Sequence, residues 1–387
     1  MIDRRILLFV ALWTTTVVAA AAVAEDSPNV PSWQTVVPDT GVVVALTGPS
    51  SPAWQLHSND RKYNVEKGLS LPSDLLTNLM HAGVIDDPYL DRNFLTQRHV
   101  WMGDHAMDDQ VHANRTRGWI YSTTFELPSP DALSSLASPD NNASRWTWFL
   151  VVEGIKMGAH IAINGVPLGN TTNQFLRYKF QVTDRHWMPS TGQPRRHKLT
   201  ITFDPSIEVD GRFAACSGGW DWAPYTKSDD AQGKRSYTLG IVKPIYLVAV
   251  QSVAIEQVVP KIYYLGPYPR TPLTRPTSDF ELQLEVHLSV NRDATMAENT
   301  PLVLLTPFHH VDVPIRLDDA TITVTNNDKV VTTNITFRRE DVDLWWPNGM
   351  GNQPLYDIQV GFADRKAMVR KRVGESFPQT RYVAIYC

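Results

Sequence analysis

The stretch "FELQLEVHLSV", residues 280–290, alternates without a break: Phe280, Leu282, Leu284, Val286, Leu288 and Val290 fall on one side, Glu281, Gln283, Glu285 and His287 on the other. A period of two belongs to a pleated strand, and no helix brings those six apolar side chains to one face. A strand of this kind is half buried, so the chain must supply a second apolar layer to cover it. The same period recurs in "HKLTITF", which places Leu199, Ile201 and Phe203 together. "TITVT" and "VVTTNITF" are rich in β-branched residues that suit a pleated surface. In "IAINGVPL" the pair Asn164-Gly165 between apolar flanks predicts a two-residue hairpin turn. One segment reads as a helix instead. In "LPSDLLTNLMHAG" Ser73 can cap, Leu75, Leu76, Leu79 and Met80 share a face, and Gly83 offers a left-handed stop. The expected class is all-β, built of sandwiches rather than a parallel sheet.

At 387 residues the chain is too long for one ordinary domain and suits two plus a leader. "MIDRRILLFVALWTTTVVAAAAVA" has a short basic start, an apolar run and Ala22-Val23-Ala24, which predicts signal peptide cleavage after Ala24. An uncleaved anchor is the rival reading, since the run is nearly long enough to span a bilayer. Four Asn-x-Ser/Thr sequons, at Asn114, Asn142, Asn170 and Asn334, fit N-glycosylation of a chain that enters the secretory path. Destination is lysosomal or extracellular. Cys216 and Cys387 are the only cysteines, which excludes a disulfide scaffold. A net charge of −4 with mixed signs and no basic stripe speaks against a nucleic-acid partner. The expected division is 1–24 leader, 25–252 first domain, 253–375 second domain and 376–387 a divergent tail.

The motif with the most chemistry is "GGWDWAP" at 218–224. A sugar ring presents a C–H face on which indole stacks, and a carboxylate accepts hydrogen bonds from adjacent hydroxyls. Trp220, Asp221 and Trp222 are therefore candidate sugar contacts, with Gly218 and Gly219 permitting the turn that aims them. Also open on residues alone is a structural role, with both indoles in a core and Asp221 capping a turn. His105, Asp108, Asp109 and His112 match no metal-ligand spacing, and His309 and His310 point to opposite sides of a predicted strand. No metal, cofactor or catalytic residue is assigned.

Six segments, taken in order, resemble one family. "GGWDWAP" is similar to the Gly-Trp-Asp-Trp-Gly-Pro signature of the β-mannosidases of glycoside hydrolase family 2. "LPSDLLTNLMHAGVIDDPY" (71–89), "GWIYSTTFELP" (118–128), "VEGIKMGAHIAINGVPLG" (152–169), "LGIVKPIYL" (239–247) and "LWWPNGMGNQPLYDIQV" (344–360) are similar to family segments in the same sequence order. The resemblance runs from about Trp54 to Val373. It implies a galactose-binding-like jelly-roll sandwich followed by an immunoglobulin-like sandwich. It also implies that Trp220, Asp221 and Trp222 contact the non-reducing mannose of β-mannosides. The chain departs from the family at Gly154-Ile155-Lys156-Met157, where a lysine replaces a carboxylate, and again after Gly374.

In the family both catalytic glutamates sit in a following (β/α)₈ barrel, the acid/base in an Asn-Glu dipeptide. This sequence has no Asn-Glu dipeptide, and the residues after Val250 read as a second sandwich. The expectation is a truncated member: a fragment, a frame-shifted reading or a degenerate copy, inactive alone. Its function would be the sugar-contacting part of terminal β-D-mannose hydrolysis. The alternatives are a lectin-like carbohydrate-binding module, or a chain that lends its clamp to a separately encoded catalytic barrel.

Overall fold

The computed structural model describes residues 36–66, 69–88, 90–102, 118–129, 146–156, 158–187, 196–204, 208–209, 212–213, 239–267, 275–290, 302–305, 307–308, 311–312, 315–316, 321–325, 328–362 and 368–374. Two antiparallel sheets make the first sandwich. One has six strands in the order Val166–Thr171, Ala159–Ile163, His197–Phe203, Trp119–Phe125, Trp54–Ser58, Asn64–Val65. The other orders Tyr178–Val182, Thr147–Val152, Ile245–Val250 and Val43–Ala45. Alternation decides which side chains face inward: His197, Leu199, Ile201 and Phe203 are buried and the residues between them are not. Trp119, Tyr121, Phe203 and Leu56 are among the largest fully buried side chains, each worth about 1.5–3 kcal/mol by area removed from water. The indoles keep a polar partner inside the core. Trp54 Nε1 donates to the Leu46 carbonyl at 2.6 Å and Trp119 Nε1 to that of Trp101 at 3.1 Å.

The hairpin at Asn164-Gly165 forms as the sequence requires, with φ of 52° and 80° and Val166 paired to Ile163. The predicted helix spans Leu75–His81 and ends at Gly83, whose φ is 69°. Its cap is Asp74, not Ser73. The Asp74 carboxylate accepts from the amides of Leu76 (3.0 Å) and Thr77 (3.2 Å). Ser73 and Asp74 both pair with Gly240–Ile241, and with the helix starting at Leu75 it is Asp74 that stands at the cap position. A second helix, Asn93–Met102, was not legible as such; it buries Val100 and Trp101.

The second sandwich has a five-stranded sheet, Val37–Pro38, Val253–Tyr264, Phe280–Val290, Asp328–Phe337, Thr321–Thr325. Against it stand Ile315–Arg316, Leu302–Leu305, Tyr356–Phe362 and Met368–Val373. Phe280, Leu282, Leu284, Val286 and Leu288 are buried, on the face the alternation selected. Their core also takes in Ile358, Val360 and Val369. Val37–Pro38 pairs with the start of Val253–Tyr264, so the chain touches the second sheet before it builds the first sandwich.

The strand Ile245–Val250 explains how the two sandwiches meet. All six of its residues are buried. Ile245, Leu247 and Ala249 face the first core, whereas Tyr246, Val248 and Val250 join a third cluster with Val36, Val151 and Ala254. A polar group rims that cluster. Tyr246 Oη donates to Glu153 at 2.6 Å and accepts the Val36 amide at 3.2 Å. Arg177 donates to the Glu256 carbonyl oxygen at 2.7 Å, and Lys179 bonds the Glu256 carboxylate and, at 3.0 Å, Ser289. The Lys179 ammonium lies 4.3 Å from the Phe149 ring centre. Arg177 and Lys179 belong to the first sandwich and Glu256 and Ser289 to the second, so these contacts fix one against the other.

Candidate functional site

Trp220, Asp221 and Trp222 lie outside the described residues, as do Asn114, Asn142, Cys216, Cys387 and the histidines at 105, 112, 309 and 310. The structure does show what brackets residues 214–238. On the near side is a short antiparallel pair, Glu208–Val209 with Arg212–Phe213. On the far side Leu239 is buried and accepts the Leu75 amide at 2.7 Å, at the first turn of the helix. Gly240–Ile241 then forms the centre of a three-stranded sheet, between Ser73–Asp74 and Ile155–Lys156. The approach at Gly240 is close: a Cβ there would stand 2.6 Å from Asp74 Cα and from the Ser73 carbonyl oxygen. The chain from Leu239 onward therefore enters a closely packed base.

Lys156, the residue that departs from the family pattern, belongs to that base. It is buried and pairs with Gly240 across the sheet. A buried ammonium requires polar company, so Lys156 is held within the fold and is not a surface side chain.

The tryptophan signature of the second sandwich is described. Leu344 is buried, Trp345 and Trp346 are half buried, and the Trp346 amide donates to the Asn352 carbonyl at 2.8 Å. Gly349 has φ 82°, and a Cβ on Gly351 would come within 2.6 Å of the Trp346 ring. Both glycines serve the turn that seats the indole. A small void of ≈ 10 Å³ in the core of this sandwich is lined by Ile262, Phe280, Phe337 and Tyr356. Among the described residues no group of three His, Cys, Asp or Glu side chains could hold a metal ion, and no helix is long and apolar enough to cross a membrane.

Residues 54–211 match the family described as glycosyl hydrolase 2 galactose-binding domain-like. This stretch is similar to the galactose-binding-like domain of glycosyl hydrolase 2. It covers the six-stranded sheet and stops just before the Trp-Asp-Trp segment. Over a longer span the chain is similar to β-mannosidase of Rattus norvegicus, 24% identical over 342 residues, which covers 81% of this chain and 33% of the relative. β-Mannosidase A of Emericella nidulans is 26% identical over 353 residues, covering 84% and 33%. The chain thus spans about a third of the length of the curated relatives it matches. The solved structure of β-D-mannosidase from Dictyoglomus thermophilum shares the fold, with a TM-score of 0.55 at 19% identity over 86% of this chain and 36% of that one.

Two sequons fall on described strands of the molecule. Asn170 is exposed on Val166–Thr171 of the galactose-binding-like domain, and Asn334 is exposed on Asp328–Phe337. Asn170 has company that the sequence did not reveal. His160 stands opposite it, with Nδ1 2.8 Å from Asn170 Oδ1 and Nε2 3.1 Å from Asp204 Oδ2. The bond to Asn170, then that to Asp204, raises the His160 pKa above the ordinary histidine value. Asp204 and Asn170 are 34 residues apart, and no local spacing announces the group.

Proposed function

We propose that this chain supplies the sugar-contacting, non-catalytic part of a β-mannoside hydrolase, with Trp220, Asp221 and Trp222 holding the terminal non-reducing β-D-mannose. The supporting observation is the run of similarity to β-mannosidases across 81% of the chain, which includes the segment bearing these three residues. The chemistry agrees: two indoles offer faces to the pyranose and one carboxylate takes its hydroxyls. Substrates on this reading are β-mannosides and oligosaccharides derived from N-glycans. Residues 25–252 form the galactose-binding-like sandwich and 253–375 an immunoglobulin-like one, and the leader sends the chain to the lysosome or the exterior.

Retaining hydrolysis takes two carboxyl groups about 5–5.5 Å apart, and the Trp-Asp-Trp segment offers one. The 387 residues alone therefore bind without cleaving. Binding is weak, because two indoles and one carboxylate supply few convergent hydrogen bonds. Titrating methyl β-D-mannoside onto the purified chain, followed by tryptophan fluorescence, tests this. A dissociation constant of about 1 mM corresponds to roughly −4 kcal/mol. Trp220→Ala and Asp221→Asn should each weaken it at least tenfold. Binding indifferent to both substitutions overturns the assignment. Micromolar binding that still requires both residues would place the chain among lectin-like modules.

A further inference from the structure

Val166–Thr171 is an end strand of the six-stranded sheet, and among the described residues it pairs in that sheet with Ala159–Ile163 alone. An uncovered strand edge offers N–H and C=O groups to a second sheet and invites association. The first half of this edge is blunted. Pro167 has no N–H to offer, its carbonyl is engaged by His186 Nε2 at 3.2 Å, and the register shifts between Pro167 and Gly169. The second half carries Asn170, exposed, at the head of Asn170-Thr171-Thr172.

The side chains around Asn170 are ordered across three neighbouring strands. Asp204 follows His197–Phe203 and is anchored by its amide to the Gly158 carbonyl at 3.0 Å. His160 bridges from Asp204 to Asn170 Oδ1. The amide is thus held through its oxygen, which is not the atom a glycan joins. Thr171, the neighbour on the opposite face, is buried and holds the strand in place.

We propose that Asn170 carries an N-linked glycan that covers the outer edge of this sheet, with His160 holding the amide through its oxygen. In the transfer, Nδ2 bonds to the anomeric carbon of a polyprenyl-pyrophosphate-linked oligosaccharide. The bond from that carbon to the pyrophosphate oxygen breaks, the pyrophosphate departs, and Nδ2 loses one proton. Asn334 offers a contrast: it lies in the other sandwich, on a strand that pairs there with Phe280–Val290, so a glycan on it does not reach this edge. The proposal rests on entry to the secretory path and is independent of the mannose-binding reading.

The test expresses the full chain in a glycosylating secretory host and maps glycosylated sites by enzymatic release, which converts each occupied asparagine to aspartate. Asn170 should be occupied. Asn170→Gln and Thr172→Ala should each remove one glycan and raise the fraction of dimers and larger species in light scattering. The second variant keeps the Asn170–His160 bond, so association in both variants is traced to the glycan rather than to misfolding. Asn334→Gln should leave association unchanged. Occupancy of other sequons with Asn170 bare overturns the proposal. An occupied Asn170 whose loss leaves the chain monomeric overturns the edge-covering role. A chain retained in the cytosol with no sequon occupied overturns the proposal together with the secretory reading, and leaves the mannose-binding titration unaffected.

Discussion

Asp39 gathers the crossing between the sandwiches into one carboxylate. Its Oδ1 accepts the Gln251 amide at 2.9 Å, and its Oδ2 accepts those of Ser252 at 2.7 Å and Val253 at 3.1 Å. Its own amide donates to the Val253 carbonyl at 2.9 Å. Residues 251–253 are where the chain leaves Ile245–Val250 and enters Val253–Tyr264, so the carboxylate sets the angle of that passage. Asp39→Ala strands three N–H groups. Gln251 and Ser252 are half exposed and water replaces much of what they lose, about 0.5–1 kcal/mol each. Val253 is buried, and its orphaned amide costs about 1–3 kcal/mol. The expected loss is therefore about 2–5 kcal/mol, large against the roughly 5–15 kcal/mol of a typical domain. Asp39→Asn keeps one acceptor and should lose about half as much. Urea unfolding followed by tryptophan fluorescence reads both variants, and hydrogen exchange reads the amides of 251–253. The alanine variant should also separate one unfolding transition into two, because the sandwiches lose their shared hinge. A midpoint unchanged in Asp39→Ala, or asparagine as costly as alanine, would refute this reasoning.

Three more outcomes follow from particular contacts. Gly240→Ala drives a Cβ to 2.6 Å from Asp74 backbone and should destabilise by more than about 2 kcal/mol, weakening mannoside binding as the base of the Trp-Asp-Trp segment shifts. Tyr121→Phe removes the hydroxyl that accepts the buried Asn78 amide at 3.2 Å and should cost about 1–3 kcal/mol, most of it regained in the double variant Asn78→Leu/Tyr121→Phe, as a double-mutant cycle would show. Burial holds the His197 pKa below its ordinary value, so its contribution to stability is intact above about pH 6.5 and is lost as pH falls through the depressed folded value. His197→Phe should flatten that acid limb in melting temperature against pH. His160 runs the other way, with its contribution complete below the ordinary histidine value and lost as pH rises through the raised one. It is half exposed, so His160→Ala should move the neutral limb less.

Strands were legible wherever one face is buried, because alternation then has to show, as in Phe280–Val290 and His197–Phe203. Ile245–Val250 hides its period by being buried on both faces, and only the third cluster explains its unbroken apolar run. The Asn93–Met102 helix was missed because its apolar residues come in adjacent pairs, Phe94-Leu95 and Val100-Trp101, with no stripe at helical spacing. The helix cap falls one residue after Ser73 because the helix starts at Leu75, which puts the Asp74 carboxylate, not the Ser73 hydroxyl, in reach of the Leu76 and Thr77 amides. Val37–Pro38 is too short a strand to carry any period. The contacts between sandwiches join residues 77 to 110 apart, Lys179 with Glu256 and Ser289, and leave no local trace. For the candidate site, Trp-Asp-Trp was legible as chemistry because stacking and hydroxyl recognition need those groups side by side. Its setting was not: Trp54 and Trp119 are indoles too, and they are core.

The role proposed for this chain is to grip a β-mannoside without hydrolysing it. The direct measurement is release of chromophore from p-nitrophenyl β-D-mannoside by the purified chain, at concentrations where the fluorescence titration shows binding. The account predicts no release above that of an Asp221→Asn control. Sustained release that rises with wild-type protein concentration and is absent in that control would contradict it.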